Sequence, residues 1–166
     1  NLGGGDLTSN GQTNLNGNTA ADTVTVAGGH LTLDGALTNN AATVNVEAGT
    51  LAANGTIAAS GINVNENATL TTGEVERLND GVALNADGTV SLGSNETIGD
   101  LSGSGTITTN GNDLTVNQTS DQEFSGNITG AGGLDKQGEA GLTLANGSDF
   151  TGTANISEGT LTVSGA

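Results

Sequence analysis

Cysteine, proline, methionine, tryptophan and tyrosine are absent from the 166 residues, and Phe124 and Phe150 are the only aromatics. Without cysteine there can be no disulfide and no thiolate metal site. A wide globular core relies on several large side chains. Here the apolar content is Leu, Val, Ile and Ala, which suits a narrow interior built from stacked layers. Cations are almost missing as well: Arg77 and Lys136 stand against 18 acids, for a formal charge of −16. Nucleic-acid phosphates need clustered Lys and Arg, so nucleic acid is excluded as a partner. The same deficit argues against electrostatic attachment to anionic membranes. No run approaches the roughly 18 apolar residues of a spanning helix. Asn1 opens no basic, apolar signal segment, so an exported parent protein would contain this chain as an excised piece.

Glycine is abundant, with 29 residues, and only 12% of the chain is charged. That charge density is below what keeps many polar sequences disordered. Order must come from repetition, and a repeat is visible. Val24 and Val26 recur as Val44 and Val46, then Ile62 and Val64, then Val82 and Leu84, at intervals of 20, 18 and 20 residues. Leu31, Leu51, Leu70 and Val90 keep step at intervals of 20, 19 and 20. Alternation with period two marks a strand with one buried face. Val24 and Val26 are therefore expected to point inward and Thr25 outward, in an outer slot reading Thr25, Asn45, Asn63, Ala83. Helical periodicity is absent.

Turn clusters separate the strands: Ala27-Gly28-Gly29, Asp34-Gly35, Ala48-Gly49, Asn54-Gly55 and Asp87-Gly88. Gly and Asn tolerate the positive φ of tight corners. Asn-Gly and Asp-Gly also signal hairpins, but a period near 20 is longer than one hairpin and favours a solenoid. The expected fold is all-β, a right-handed parallel β-helix of about eight coils of roughly 20 residues, rising about 4.8 Å per coil to a rod about 40 Å long. The charged stretch Glu74-Val75-Glu76-Arg77-Leu78-Asn79-Asp80 is expected to be a solvated loop interrupting the coils.

From Ile98 the wording changes. Phe124-Ser125-Gly126-Asn127-Ile128-Thr129-Gly130-Ala131-Gly132-Gly133-Leu134-Asp135-Lys136-Gln137-Gly138 is followed by Leu142-Thr143-Leu144, by Phe150-Thr151-Gly152 and by Gly159-Thr160-Leu161-Thr162-Val163. In its order and spacing this half resembles the passenger-associated repeat of autotransporters, the type V secreted proteins of Gram-negative bacteria. The resemblance covers residues 98–166. Residues 1–97 then form regular coils and 98–166 passenger-repeat coils of one continuous solenoid. The resemblance implies a signal peptide upstream, a C-terminal β-barrel translocator in the parent chain, and a passenger on the bacterial cell surface or outside the cell. It also implies an adhesin or rod-like stalk whose partners are a host-cell surface, extracellular matrix or identical rods. The family carries no catalytic motif in these repeats, so none is transferred. The missing cysteines fit passage of an unfolded chain through a narrow pore.

Hidden chemistry was sought residue by residue. Enzymes on β-helices need carboxylates converging on a groove, whereas Asp22, Asp34, Asp87, Asp100, Asp113 and Asp149 fall at corners, where turn formation explains them. His30, beside Gly28 and Gly29, is expected at a coil corner without a partner base or ligand. Gly3-Gly4-Gly5-Asp6 is a fragment of a calcium-binding nonapeptide with no second copy nine residues on. The seven Asn-x-Ser/Thr sequons, beginning at Asn54, Asn67, Asn95, Asn117, Asn127, Asn146 and Asn155, are close to the chance number. Thr-x-Thr pairs, namely Thr23/Thr25, Thr69/Thr71, Thr106/Thr108 and Thr160/Thr162, resemble those of ice-binding solenoids. In register with Thr23 and Thr25, however, the next coils place Thr43 and Asn45, then Gly61 and Asn63. No continuous array is expected, and the strand propensity of Thr explains the pairs. No catalytic, cofactor-binding or metal-binding residue is assigned, and the chain is read as a non-enzyme, with a carbohydrate-active β-helix enzyme and a spacer or folding nucleus as the alternatives.

Overall fold

The structure is a computed structural model that describes residues 4–146 and 149–164. Gly3, Gly147 and Ser148, which belong to motifs quoted above, lie outside the described residues. The first four coils contain β1 (Asp6–Ser9) and β2 (Gln12–Leu15), β3 (Thr23–Val26) and β4 (His30–Leu33), β5 (Thr43–Val46) and β6 (Gly49–Ala53), then β7 (Gly61–Val64) and β8 (Ala68–Thr72). Three strands per coil follow: β9 (Ala83–Ala86), β10 (Thr89–Ser91), β11 (Glu96–Ile98); β12 (Leu101–Ser102), β13 (Thr106–Thr108), β14 (Leu114–Asn117); β15 (Gln122–Phe124), β16 (Asn127–Gly130), β17 (Leu134–Gln137); and β18 (Gly141–Leu144), β19 (Asp149–Phe150), β20 (Ala154–Ile156). β21 (Thr160–Val163) opens a ninth coil.

Every pairing between the described strands is parallel, each strand stacking on its counterpart one coil away. Three faces result. The first runs β1-β3-β5-β7-β9-β12 and continues through a bridge between Gly103 and Phe124 into β15-β18-β21. The second runs without interruption through β2-β4-β6-β8-β10-β13-β16-β19. The third begins as isolated bridges, Thr19 to Leu37 to Ile57 to Leu78, and becomes a sheet, β11-β14-β17-β20, from Glu96 onward. The chain is thus a parallel β-solenoid of eight turns. The change of wording near Ile98 coincides with the third face becoming regular strand.

The interior follows from alternation. In β3, β4, β5 and β7 every second residue is buried. The inner columns read Val24, Val44, Ile62, Leu84, Leu101 on the first face and Leu31, Leu51, Leu70, Val90, Ile107, Ile128 on the second. The second column is the one read from the sequence. The first differs in the third step, because Ile62 and Val64 pair with Leu84 and Ala86, not with Val82 and Leu84. Val82 is buried at a corner, its amide bonded to the carbonyl of Asn79 as Ala42 is to that of Asn39. The loop before it lengthens the coil to 84 − 62 = 22 residues, and a corner residue of the wrong phase completed the apparent alternation.

That loop, Glu74–Asp80, carries no strand, as expected, but is solvated only in part. Val75 is exposed, whereas Leu78 is buried and continues the third-face column. Arg77 and Glu74 form an ion pair that remains near solvent and adds little stability.

The passenger-like motif consists of inward side chains and contact glycines. Phe124, Ile128, Leu134, Lys136, Leu142 and Leu144 are all buried. A Cβ on Gly126 would lie 2.0 Å from the carbonyl oxygen of Gly105, and one on Gly132 only 1.7 Å from that of Asn112. Phe124 is the largest fully buried side chain. Phe124→Ala is expected to lower unfolding free energy by about 3–5 kcal/mol, measurable by denaturant titration, and Phe124→Leu by considerably less.

Candidate interaction surface

Outward positions of the first face form the column Thr8, Thr25, Asn45, Asn63, Asn85, Ser102. Ala83, expected in this slot, instead pairs with Gly61 two residues earlier on the strand. The column satisfies itself. Asn63 Nδ2 donates to Asn45 Oδ1 at 2.9 Å, Ser102 Oγ to Asn85 Oδ1 at 3.2 Å, and Asn85 Nδ2 to Asp87 Oδ2 at 2.9 Å. Such ladders add to the backbone pairing of parallel strands, much as cross-strand pairs do.

The second face has two outward columns two residues apart. One reads Gln12, His30, Thr50, Thr69, Thr89, Thr106, Asn127. The other reads Asn14, Thr32, Ala52, Thr71, Ser91, Thr108, Thr129, Asp149. A run of four stacked threonines, Thr50, Thr69, Thr89 and Thr106, therefore does exist on this face, while Ala52 and Ser91 interrupt the other column. The register from Thr23 and Thr25 breaks off as expected, because those residues belong to the first face, whereas Thr69/Thr71 and Thr106/Thr108 belong to the second. The inner residues between the columns are fully apolar and keep the register fixed, since a one-residue slip would bury the hydroxyls.

His30 is also placed differently from expectation: it lies in β4, within the first threonine column and beside Thr50, not at a corner. Of the aspartates expected at corners, Asp22, Asp34, Asp87, Asp100 and Asp113 do sit there, Asp149 lies in β19, and all six accept hydrogen bonds. Asp22 accepts from the amide of Gly5, Asp87 from that of Ser104 and Asp113 from that of Gly133, each one coil away. Asp34 accepts from Asn54 Nδ2, and Asp149 from Asn127 Nδ2. Burial pushes the Asp100 carboxyl up, but hydrogen bonds from Ser120 and Thr119 outweigh it and hold the group below the usual range.

A groove along the third face gathers Glu76, Glu96, Asp113 and Asp135. Each carboxylate is committed to the frame. Glu76 accepts from the amide and hydroxyl of Thr97, and Asp135 from Gln137, Asn155 and Ser157. Among the described residues no three of His, Asp or Glu are placed to hold a metal ion.

Three buried polar side chains escaped the sequence reading. Glu96, 1% exposed, accepts from the amides of Arg77 at 2.9 Å and Leu78 at 3.1 Å, supplying the ladder bonds that the loop cannot make. Burial is the main cause that pushes its carboxyl up to about 7, against the two amides, with Glu76 nearby adding repulsion. Gln118 accepts from the amide of Leu101 at 2.8 Å. Lys136 occupies the inner column of Ile98 and Val116, its Nζ donating to the carbonyls of Gln137, Gly138 and Glu158. Burial pulls its ammonium below the ordinary lysine range, and Glu158 partly offsets this. The signal for Lys136 was present in the phase of Leu134-x-Lys136 against Leu114-x-Val116.

Compared with models of known protein families, with curated proteins and with solved structures, the chain matches none.

Proposed function

We propose that this chain is a passenger segment of a secreted or surface-displayed autotransporter, a rod that acts in adhesion or self-association through its outer strand faces. The observation that carries this reading is the second face, an uninterrupted stack of eight strands whose outer residues are mostly uncharged polar side chains, with His30, Ala52 and Asp149 as the exceptions. The motif shared with passenger repeats supports it, because its apolar letters Phe124, Ile128, Leu134, Leu142 and Leu144 are inner residues of their coils. A rod whose coils contact only their neighbours can present such a face over its full length.

The mechanism is the approach of two neutral ladders, or of one ladder and a polar host surface, with hydroxyls and amides exchanging water for partner hydrogen bonds. Little charge opposes contact there, although the whole chain is strongly acidic. Chains displayed on beads or cells are expected to cluster or to bind a host-cell and matrix panel. Lysines placed at Thr69 and Thr89 should remove that binding while leaving the melting temperature within a few degrees of the parent. The enzymatic alternative predicts turnover of acidic or neutral glycans, and the spacer alternative predicts no binding together with loss of secretion on deletion.

A further inference from the structure

We propose that the threonine array on the second face binds the surface of ice. The strands that carry its centre, β6, β8, β10 and β13, contain no charged residue. Thr50, Thr69, Thr89 and Thr106 stack in one column, and Thr71 and Thr108 belong to the other. Neighbouring strands lie about 4.8 Å apart, and residues two apart along a strand about 6.6 Å. These two repeats form a near-rectangular grid that approximates the oxygen spacings on a prism face of hexagonal ice.

The hydroxyls of the first column are available, whereas in the second Thr129 Oγ1 donates to Thr108 Oγ1 at 3.4 Å and Ser91 Oγ accepts from Asn110 Nδ2 at 2.9 Å. Thr71 leans toward the carbonyl of Leu51 at 3.5 Å, and Thr129 toward that of Ile107 at 3.4 Å. Thr50, Thr69, Thr89 and Thr106 make no side-chain hydrogen bond among the described residues, in contrast to the bonded Asn and Ser column of the first face. Threonine is branched at Cβ and stiff at χ1, which restricts each hydroxyl and methyl in the column to few positions. A rigid array loses little conformational entropy on binding a lattice. Charged groups would hold their own hydration shells and disturb that match. The array also lacks the aromatic side chains that would give a sugar ring an apolar platform.

The test uses the 166-residue chain in a solution frozen slowly from a seeded surface, with uptake into ice and freezing-point hysteresis as readouts. The parent chain is expected to enter the ice and to facet growing crystals. Thr69→Lys and Thr89→Lys, both at outer positions, should drop uptake to that of an excluded globular protein. Thr25→Lys, on the first face, should keep parental uptake, and thermal unfolding of all three checks that the coils are intact. Exclusion of the parent from ice, or full uptake of folded Thr69→Lys and Thr89→Lys variants, would overturn the proposal. Either result is independent of bead clustering, which is read at ambient temperature without ice.

Discussion

Raising the pH from 5 to 8 is expected to destabilise this protein through one residue, Glu96. Burial pushes its carboxyl up to about 7 in the folded chain, against an ordinary value of 4.5. The folded state therefore holds a proton that the unfolded state has released across this window. Stability from this group is full below about 4.5 and is lost as the pH rises through 7, a change on the order of 3 kcal/mol. Glu96→Gln removes the charge but keeps one acceptor oxygen where the carboxylate offers two, so one of the Arg77 and Leu78 amides loses its partner. It should flatten the dependence, at a cost of about 1–3 kcal/mol at either pH for the amide left unpaired. Glu96→Ala leaves both amides without their acceptor beside an emptied space, and should cost about 3–5 kcal/mol at either pH. Thermal unfolding of the three chains at pH 5 and pH 8 is the measurement. A parent protein whose melting temperature does not fall over that range would refute the assignment. Asp100 works in the opposite direction: its lowered value gives stability that is lost only as the pH falls through the acid range below 3.8.

The second large effect is expected at a corner. Gly49 has φ of +82°, and a Cβ there would lie 2.2 Å from the carbonyl oxygen of Gly29. Gly49→Ala thus combines a left-handed backbone, disfavoured by about 1–2 kcal/mol for residues with a Cβ, with a collision between two stacked backbones. The coils must separate or the corner must rebuild, and the total is expected to reach about 3–5 kcal/mol. Gly81 is the control, since a Cβ there meets nothing within 4 Å. Gly81→Ala should be neutral or slightly stabilising, by up to about 1 kcal/mol, through a stiffer unfolded chain. Equal denaturant midpoints for the two variants would contradict the close stacking at Gly29 and Gly49.

Much of this architecture is legible in the sequence because strands carry their burial in a simple alternation. Leu31, Leu51, Leu70 and Val90 were found in the column they occupy. Val82 was misplaced because a buried corner residue followed by Leu84 looks like a strand with one face buried. Only the extra length of the Glu74–Asp80 loop distinguishes the two cases. The threonine array was missed for a related reason. Coil lengths vary, as in the step of 20 residues from Thr69 to Thr89 and of 17 from Thr89 to Thr106, so pairs aligned from Thr23 follow a different face. Glu96 has the phase of Ile98 two residues on, so alternation alone places it inward, whereas its charge argues for an outward position. What makes it interior is the loop one coil earlier, a contact that local pattern does not encode.

As the proposed adhesive rod, this chain works through its outer surface. Clustering of chain-coated beads, with and without lysine at Thr69 and Thr89, tests it most directly, with binding to a host-cell and matrix panel run alongside. The expected result is clustering or specific binding by the parent chain, lost in the folded lysine variants and retained by Thr25→Lys. Dispersed, non-binding beads, or lysine variants that adhere as well as the parent, would contradict it.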